Sequence, residues 1–471
     1  MNKFSSSYGC FSELFLVILV LEPEWDEFFL VRKGLMRNFY CGCLLSIALS
    51  TALGLGCKKE KSEVLNEEVV QKPEVVDFPE DDWQLIPASY SRFADSINTQ
   101  LAEVSIELSE SFFINDPDRG GKFYYRPKSS GLIVDNGIVF AAGNGGFWER
   151  EVGDTVNLAW YNVTIDNPDN ASAIRKGIQA AIKRKKNFVK FPSAGNYIVK
   201  SSNYWTIPDN YSLAIEGNGA TIEVDKAAAS KAQETYVMAF KCTETANSTN
   251  NKIAIRNLRI KAPGVETKWT ETDFRNHKLV MAIETDGVHT VEIKRCRLND
   301  IWGYGIRLKN FVKANIDDVI ERNVGGHFPI ENEYDSFGDG IWLGHYDVET
   351  KRQSRKYSYA KINNCIIQGY PTAKNGNFAS RSGITVEGFS SHGKDISMTV
   401  DVSNSIIAEY DRNIHVEGIG SKINLKNCKI RNFYGLALVV SSPKTTIAYS
   451  NCSASGLLPS NPKQERLALG G

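Results

Sequence analysis

The chain has 471 residues, with 55 Lys and Arg balanced by 55 Asp and Glu for a formal net charge of +0. That length supports one large or two moderate domains with a substantial core. The balance supplies no global field to attract nucleic acid or an anionic membrane, and the nearest basic run, Lys183–Lys186, falls on a predicted helix as a solvated face rather than a binding stripe.

Residues 1–35 read as an extension from an upstream start codon, because their apolar patch Phe15–Leu21 is too short to span a bilayer. Met36-Arg37, the apolar run Cys41–Gly56 and then Cys57 form a charged start, a hydrophobic stretch and a small residue before cysteine. This resembles a bacterial lipoprotein signal over 36–57, although Leu53-Gly54-Leu55-Gly56-Cys57 departs slightly from the usual leucine-small-small-cysteine order. The resemblance implies an exported protein, lipidated on Cys57 and attached to a membrane of the cell envelope, with its folded part in the periplasm or at the surface. Residues 58–80 are charged and poor in apolar side chains, as a flexible tether is.

Phe93, Ile97, Leu101, Val104 and Leu108 recur at helical spacing, which predicts an amphipathic helix over Ser91–Ser109. Segments 120–127, 132–151 and 156–163 read as short strands between Gly and Asn turns. Together they make a helix plus β-rich module over 81–168. Asn170 is then placed to cap a helix that buries Ile174, Ile178, Ala181 and Ile182, followed by a strand, a Pro/Gly turn and a strand over Phe188–Lys200. DNPDNASAIRKGIQAAI followed by FVKFPSAGNYIV resembles the opening of the pectate-lyase-like β-helix superfamily, which includes polysaccharide lyases, polygalacturonase-like hydrolases and phage tailspikes. GGKFYY, NGGFWERE and VNLAWYNV before it are similar to the small β-rich module that precedes this helix in tailspike-like proteins. The resemblance runs from Gly120 to Cys452. It implies an all-β, right-handed parallel β-helix whose open end is covered by the capping helix. It bears on fold more than on reaction, because the superfamily carries many activities.

From Ile255 onward one phrase returns: IRNLRI, IKRCRL, IDDVIE, INNCII, VSNSII, LKNCKI and YSNCSA. Aligned, the copies stack Leu258, Cys296, Val319, Cys365, Ser405, Cys428 and Cys452, with 23 residues between Cys296 and Val319 and again between Ser405 and Cys428. A period of that size with strand-like alternation predicts a solenoid over 169–456, one coil per copy, leaving a tail at 457–471. Cys296, Cys365, Cys428 and Cys452 fall in the inward column as small core residues, with no CxxC pair and no zinc spacing. The column before it holds Asn257, Asp318, Asn364, Asn404, Asn427 and Asn451, and resembles the asparagine ladder of the superfamily.

A second phrase follows in GIRLK, GIWLG, GITVE and NIHVE. It predicts Ile306, Ile341, Ile384 and Ile414 as an inward stack. Two columns then face outward: Glu284, Arg307, Trp342, Thr385, His415, and Asp286, Lys309, Gly344, Glu387, Glu417. Glu387 and Glu417 fall on consecutive coils, where opposed like charges must share a proton, hold a cation such as calcium, lean on Arg or Lys, or splay into solvent. Insertions at 261–279, 321–338, 345–359, 369–382 and 388–397 raise walls around the same coils. Tyr334, Phe337 and Tyr346 from these walls, with Trp342 and His345 on the strand, are the candidate substrate-binding residues. Asp339-Gly340-Ile341 resembles the segment that opens a catalytic strand in polygalacturonase-like enzymes. The other signatures of that family, and the Arg-rich motif of pectate lyases, are absent.

A glycosidase needs two carboxyls roughly 5 Å apart for retention or 6.5–9.5 Å for inversion. Glu387 with Glu417 suits the first and Asp339 with Glu387 the second. A uronate lyase needs a base and a cation, roles open to Arg307 and Lys309, while His415 is a further acid or base. The sequence therefore reads as an envelope-anchored parallel β-helix that cuts an acidic or neutral polysaccharide, by lyase or hydrolase chemistry. Calcium is the one candidate cofactor, and tailspike resemblance allows an oligomer. The alternative is a non-catalytic glycan-binding or structural solenoid.

Overall fold

In the computed structural model the described residues run from 111 to 456, apart from 115, 117, 143–144, 230–233, 243–249, 266–278, 327–337, 346–356, 372–379, 389–396, 434–435 and 443. The signal with Cys57, the predicted helix over Ser91–Ser109, the tail and most of the wall insertions lie outside them.

Three parallel sheets of eight, nine and ten strands carry the described chain, and each strand is bonded to its counterparts one coil before and one coil after. The result is the parallel β-helix that the repeat predicts, right-handed as the resemblance implies. One coil runs from the front sheet (Val280–Asp286) to the back sheet (Thr290–Lys294), then the corner sheet (Arg297–Ile301), and returns to the front at Gly303–Lys309. The aliphatic stacks fall inside, with Ile306, Ile341, Ile384 and Ile414 all buried in one continuous core.

The bend between back and corner sheets explains the asparagine column. Asn257, Asp318, Asn364, Asn404, Asn427 and Asn451 all take positive φ, between 50° and 54°, and so does Arg295 at 51°. Left-handed backbone is least costly for Asn and Asp among residues with a side chain. Conformation comes first here and the ladder second. Asn427 Nδ2 donates to Asn404 Oδ1 at 3.0 Å and Asn451 Nδ2 to Asn427 Oδ1 at 2.9 Å. On earlier coils other side chains fill the rungs, as where Arg295 Nε donates to Asn257 Oδ1 at 2.7 Å.

The cysteines lie in the bend, one residue past the left-handed position, rather than on a strand. Cys296, Cys365 and Cys428 are buried free thiols and Cys452 is half-buried. Burial pushes the thiols of Cys296 and Cys365 up to about 12, which makes them inert.

Helix Ala171–Lys183 buries Ile174, Ile178, Ala181 and Ile182 over the first coil. Asn170 does not cap it. That residue is itself helical, and its Oδ1 accepts from the Thr164 N–H at 3.0 Å, while Asp169 Oδ1 takes the Ala171 N–H at 3.0 Å. In the N-terminal module, strands Ser111–Ile114, Gly121–Arg126, Phe147–Arg150 and Val139–Ala141 form an antiparallel sheet in that order. Thr155–Asn157 instead pairs in parallel with Phe188–Lys190, so the back sheet begins ahead of the helix.

One core column is interrupted by a charge-bearing group. Registers align Ile260, Leu298, Glu321, Ile367 and Ile407. Glu321 is 0% exposed, and among the described residues neither of its oxygens has a hydrogen-bond partner. Glycines leave it room: a Cβ on Gly305 would lie 2.6 Å from Oε1 and one on Gly340 2.7 Å from Oε2. Burial holds the carboxyl protonated far above its usual range of about 4.5. The folded state therefore keeps a proton that the unfolded state releases, so this contribution to stability is full below pH 4.5 and lost as pH rises toward the folded value. Glu321→Ile is expected to stabilise the fold by about 1–3 kcal/mol at neutral pH. The gain over wild type should widen in alkaline denaturant melts, and a gap that stays constant with pH would count against the buried acid.

Candidate functional site

The front sheet bends where its strands begin, and the bend decides which side chains face out. A Cβ on Gly340 would meet Ile367 Cγ2 at 2.6 Å in the interior, and Ile341 is also in the core. Two successive residues thus point inward, which leaves Asp339 before them and Trp342 after them on the outer face. The registers align Glu284, Arg307, Trp342, Thr385 and His415, and separately Asp286, Lys309, Gly344 and Glu387, as the repeat predicts. Glu417 follows the strand Tyr410–Val416 by one residue, and its N–H bonds to Val386 O at 2.8 Å, which puts it beside Glu387.

Around this pair the charges are closely tied. Trp342 Nε1 donates to Glu387 Oε2 at 2.5 Å. His415 Nε2 lies 3.0 Å from Glu417 Oε1. Asp339 is 0% exposed, with Oδ2 at 3.5 Å from Arg381 Nη1. Burial is the main cause raising Asp339 above its ordinary range, and Arg381 offsets it in part. Burial, and then the charge of Glu417, raise Glu387. Glu417 moves the other way, drawn down first by its hydrogen bond from His415. Two adjacent glutamates thus differ in proton affinity: Glu387 keeps its proton to higher pH than a free carboxyl, and Glu417 loses its proton more readily. A separation of that kind suits one group to give a proton and the other to act as an anion.

Other candidates fall elsewhere. Trp342 is not an open platform: it is 1% exposed and packed with Met281 and Tyr304, because neighbours on other coils cover its ring. Its contribution is the indole N–H. His345 faces inward with the alternation set by Leu343, 2% exposed, with Nε2 at 2.7 Å from Ser358 Oγ and its ring stacked on Phe311. It is no substrate contact. Arg307 and Lys309 reach Glu284 at 3.5 and 2.9 Å rather than the glutamate pair. Tyr334, Phe337 and Tyr346 lie outside the described residues. Among the described residues no group of three or more His, Cys, Asp or Glu is gathered as for a metal.

Two residues were missed. Arg381 lies within electrostatic reach of Asp339, Glu387 and Glu417, and Asp411 is buried and pushed up to about 6 despite Arg412. Both precede the Gly-Ile and Asn-Ile phrases, upstream of the aligned columns, and extending the alignment two residues earlier would have found them.

No protein-family model matches the sequence. No curated protein matches it either. Solved structures do show similarity. The enzymatically active domain of bacteriophage CBA120 tailspike protein 4 is 14% identical with a TM-score of 0.38, over 76% of this chain and 48% of that one. Pantoea stewartii WceF, a glycan biofilm modifying enzyme with a tailspike-like parallel β-helix fold, is 15% identical with a TM-score of 0.35, over 78% and 48%. The active domain of CBA120 tailspike protein 2 is 10% identical with a TM-score of 0.43, over 79% and 54%. The chain thus spans about half the length of these proteins. At such identities the likeness concerns fold, which the sheet order gives independently.

Trp342→Phe keeps a buried ring and deletes the N–H that draws the Glu387 value down. Its carboxyl-carbon NMR titration midpoint should therefore move upward. An unmoved midpoint would show that the Trp342 N–H does not offset the burial that raises Glu387.

Proposed function

We propose that this protein is a polysaccharide-cleaving enzyme acting on a glycan laid across the front sheet, with Glu387 as acid and Glu417 as its anionic partner. The observation that carries the reading is the stacked pair of glutamates with opposite shifts in proton affinity. Neighbouring parallel strands are about 4.8 Å apart, close to the roughly 5–5.5 Å separation of a retaining glycosidase. On that course Glu387 gives its proton to the glycosidic oxygen as the bond from C1 breaks, and Glu417 bonds to C1. Water then adds at C1 as Glu387 takes its proton, which frees Glu417. His415 favours the anion of Glu417, burial and the charge of Glu417 favour the proton of Glu387, Trp342 orients Glu387 through its N–H, and Asp339 with Arg381 forms the adjoining wall. Export and anchoring through Cys57 would bring this face to glycans of the cell envelope or its surroundings.

Turnover requires Glu387 protonated and Glu417 ionised. The activity profile should therefore fall on the acid side below the ordinary carboxylate range and on the basic side above it. Glu387→Gln is expected to lower reducing-end release about 10²–10⁴-fold while glycan binding persists. Equal release by wild type and variant across a glycan panel would end the catalytic reading.

A further inference from the structure

The cations of the front face are already engaged, and this bears on the sugar. From strand Val280–Asp286 to strand Tyr410–Val416, the described cationic side chains on this face are Arg307, Lys309, Arg381 and Arg412, with the imidazole of His415 beside them. Arg307 and Lys309 sit on Glu284 at 3.5 and 2.9 Å, Arg381 on Asp339 at 3.5 Å, Arg412 on Asp411 at 3.5 Å, and His415 on Glu417 at 3.0 Å. These are not loose surface pairs: the side chains of Arg307, Lys309 and Arg381 are 14%, 17% and 15% exposed.

A uronate glycan brings a carboxylate on its acidic sugars. Next to Glu417 that charge is repelled; among the described residues Arg381 and Arg412 are each held by a carboxylate and Arg307 and Lys309 share Glu284, so recruiting Arg381 or Arg412 to neutralise it uncovers an acid in a partly desolvated setting. A neutral sugar avoids the conflict, because its hydroxyls donate to the partly exposed Glu417 and its ring brings no charge. Elimination also needs a carboxylate beside the proton removed, so a neutral sugar directs the site to hydrolysis. The C1–O bond breaks, hydrogen from water goes to the leaving oxygen, and hydroxyl goes to C1. We infer that the glycan straddling Glu387 and Glu417 is neutral and that the reaction there is hydrolysis. This rests on the cleaving-pair reading and names its substrate class.

The test compares neutral glycans (xylan, galactomannan, dextran) with polygalacturonate and alginate. Affinity electrophoresis of Glu387→Gln measures binding, while reducing ends and ultraviolet absorbance of unsaturated product measure turnover by wild type. The inference expects a neutral glycan to be bound and cut, with uronates held at least about tenfold more weakly. Glu284→Gln, which releases Arg307 and Lys309, should then strengthen polygalacturonate binding about tenfold, given an unchanged thermal melt. Preferred binding of a uronate, or unsaturated product from wild type, overturns the substrate class and leaves the glutamate pair standing if Glu387→Gln still abolishes turnover. Unimpaired cutting by Glu387→Gln, or no glycan bound or cut by wild type, removes the cleaving-pair reading and this inference with it.

Discussion

Everything in this molecule depends on parallel coils stacking in register. Each strand bonds only to its counterparts one coil away, so a side chain's nearest neighbours come from the same column about 4.8 Å above and below. A column must therefore be compatible with itself. Aliphatic residues, small thiols and self-pairing amides satisfy that condition, and they fill the inner columns and the bend. Two carboxylates satisfy it only if their protons are unequally held. The pairing of Glu387 with Glu417 is the same constraint as the pairing of Asn427 with Asn451, with acid groups in place of amides.

Because columns are written in the sequence as a period, much of the fold was legible there. The stack of Ile306, Ile341, Ile384 and Ile414 and the outward order Glu284, Arg307, Trp342, Thr385, His415 follow from alignment alone. What a column cannot show is the space around it. Trp342 looks exposed by alternation, yet Met281 and Tyr304 from earlier coils enclose it. Asp339 and Gly340 break the alternation because the strand bends there. Asn170 carries the right residue type for a cap, but its own backbone is already helical. Glu321 was visible as the final letter of IDDVIE, where most other copies end in Ile or Leu, but the insertion expected over 321–338 opens on it, whereas the residue lies inside strand Ile320–Val324 in register with Leu298 and Ile367.

The candidate site gains its chemistry from partial burial rather than from an unusual residue set. Glu387 and Glu417 are the same amino acid on adjacent coils. A tryptophan N–H and a low-polarity setting act on one, and a histidine acts on the other. Arg381 stands within reach of both while bonded to Asp339, so the charge state of any one group is felt by the others. Such a site cannot be assigned from one residue's neighbours in the chain, since its members come from three coils.

The left-handed bend residues have a consequence for how such a chain can change length. Each one marks the same angular position on its coil, like a tooth on a ratchet. Adding a single residue inside a strand would turn the rest of that strand inside out. Adding a whole coil restores every column after it, and added residues in the turns beside the front sheet disturb none. Growth by whole turns or at the rim leaves the stack intact, so length can be added along the edges of the front face while the columns beneath it keep their register.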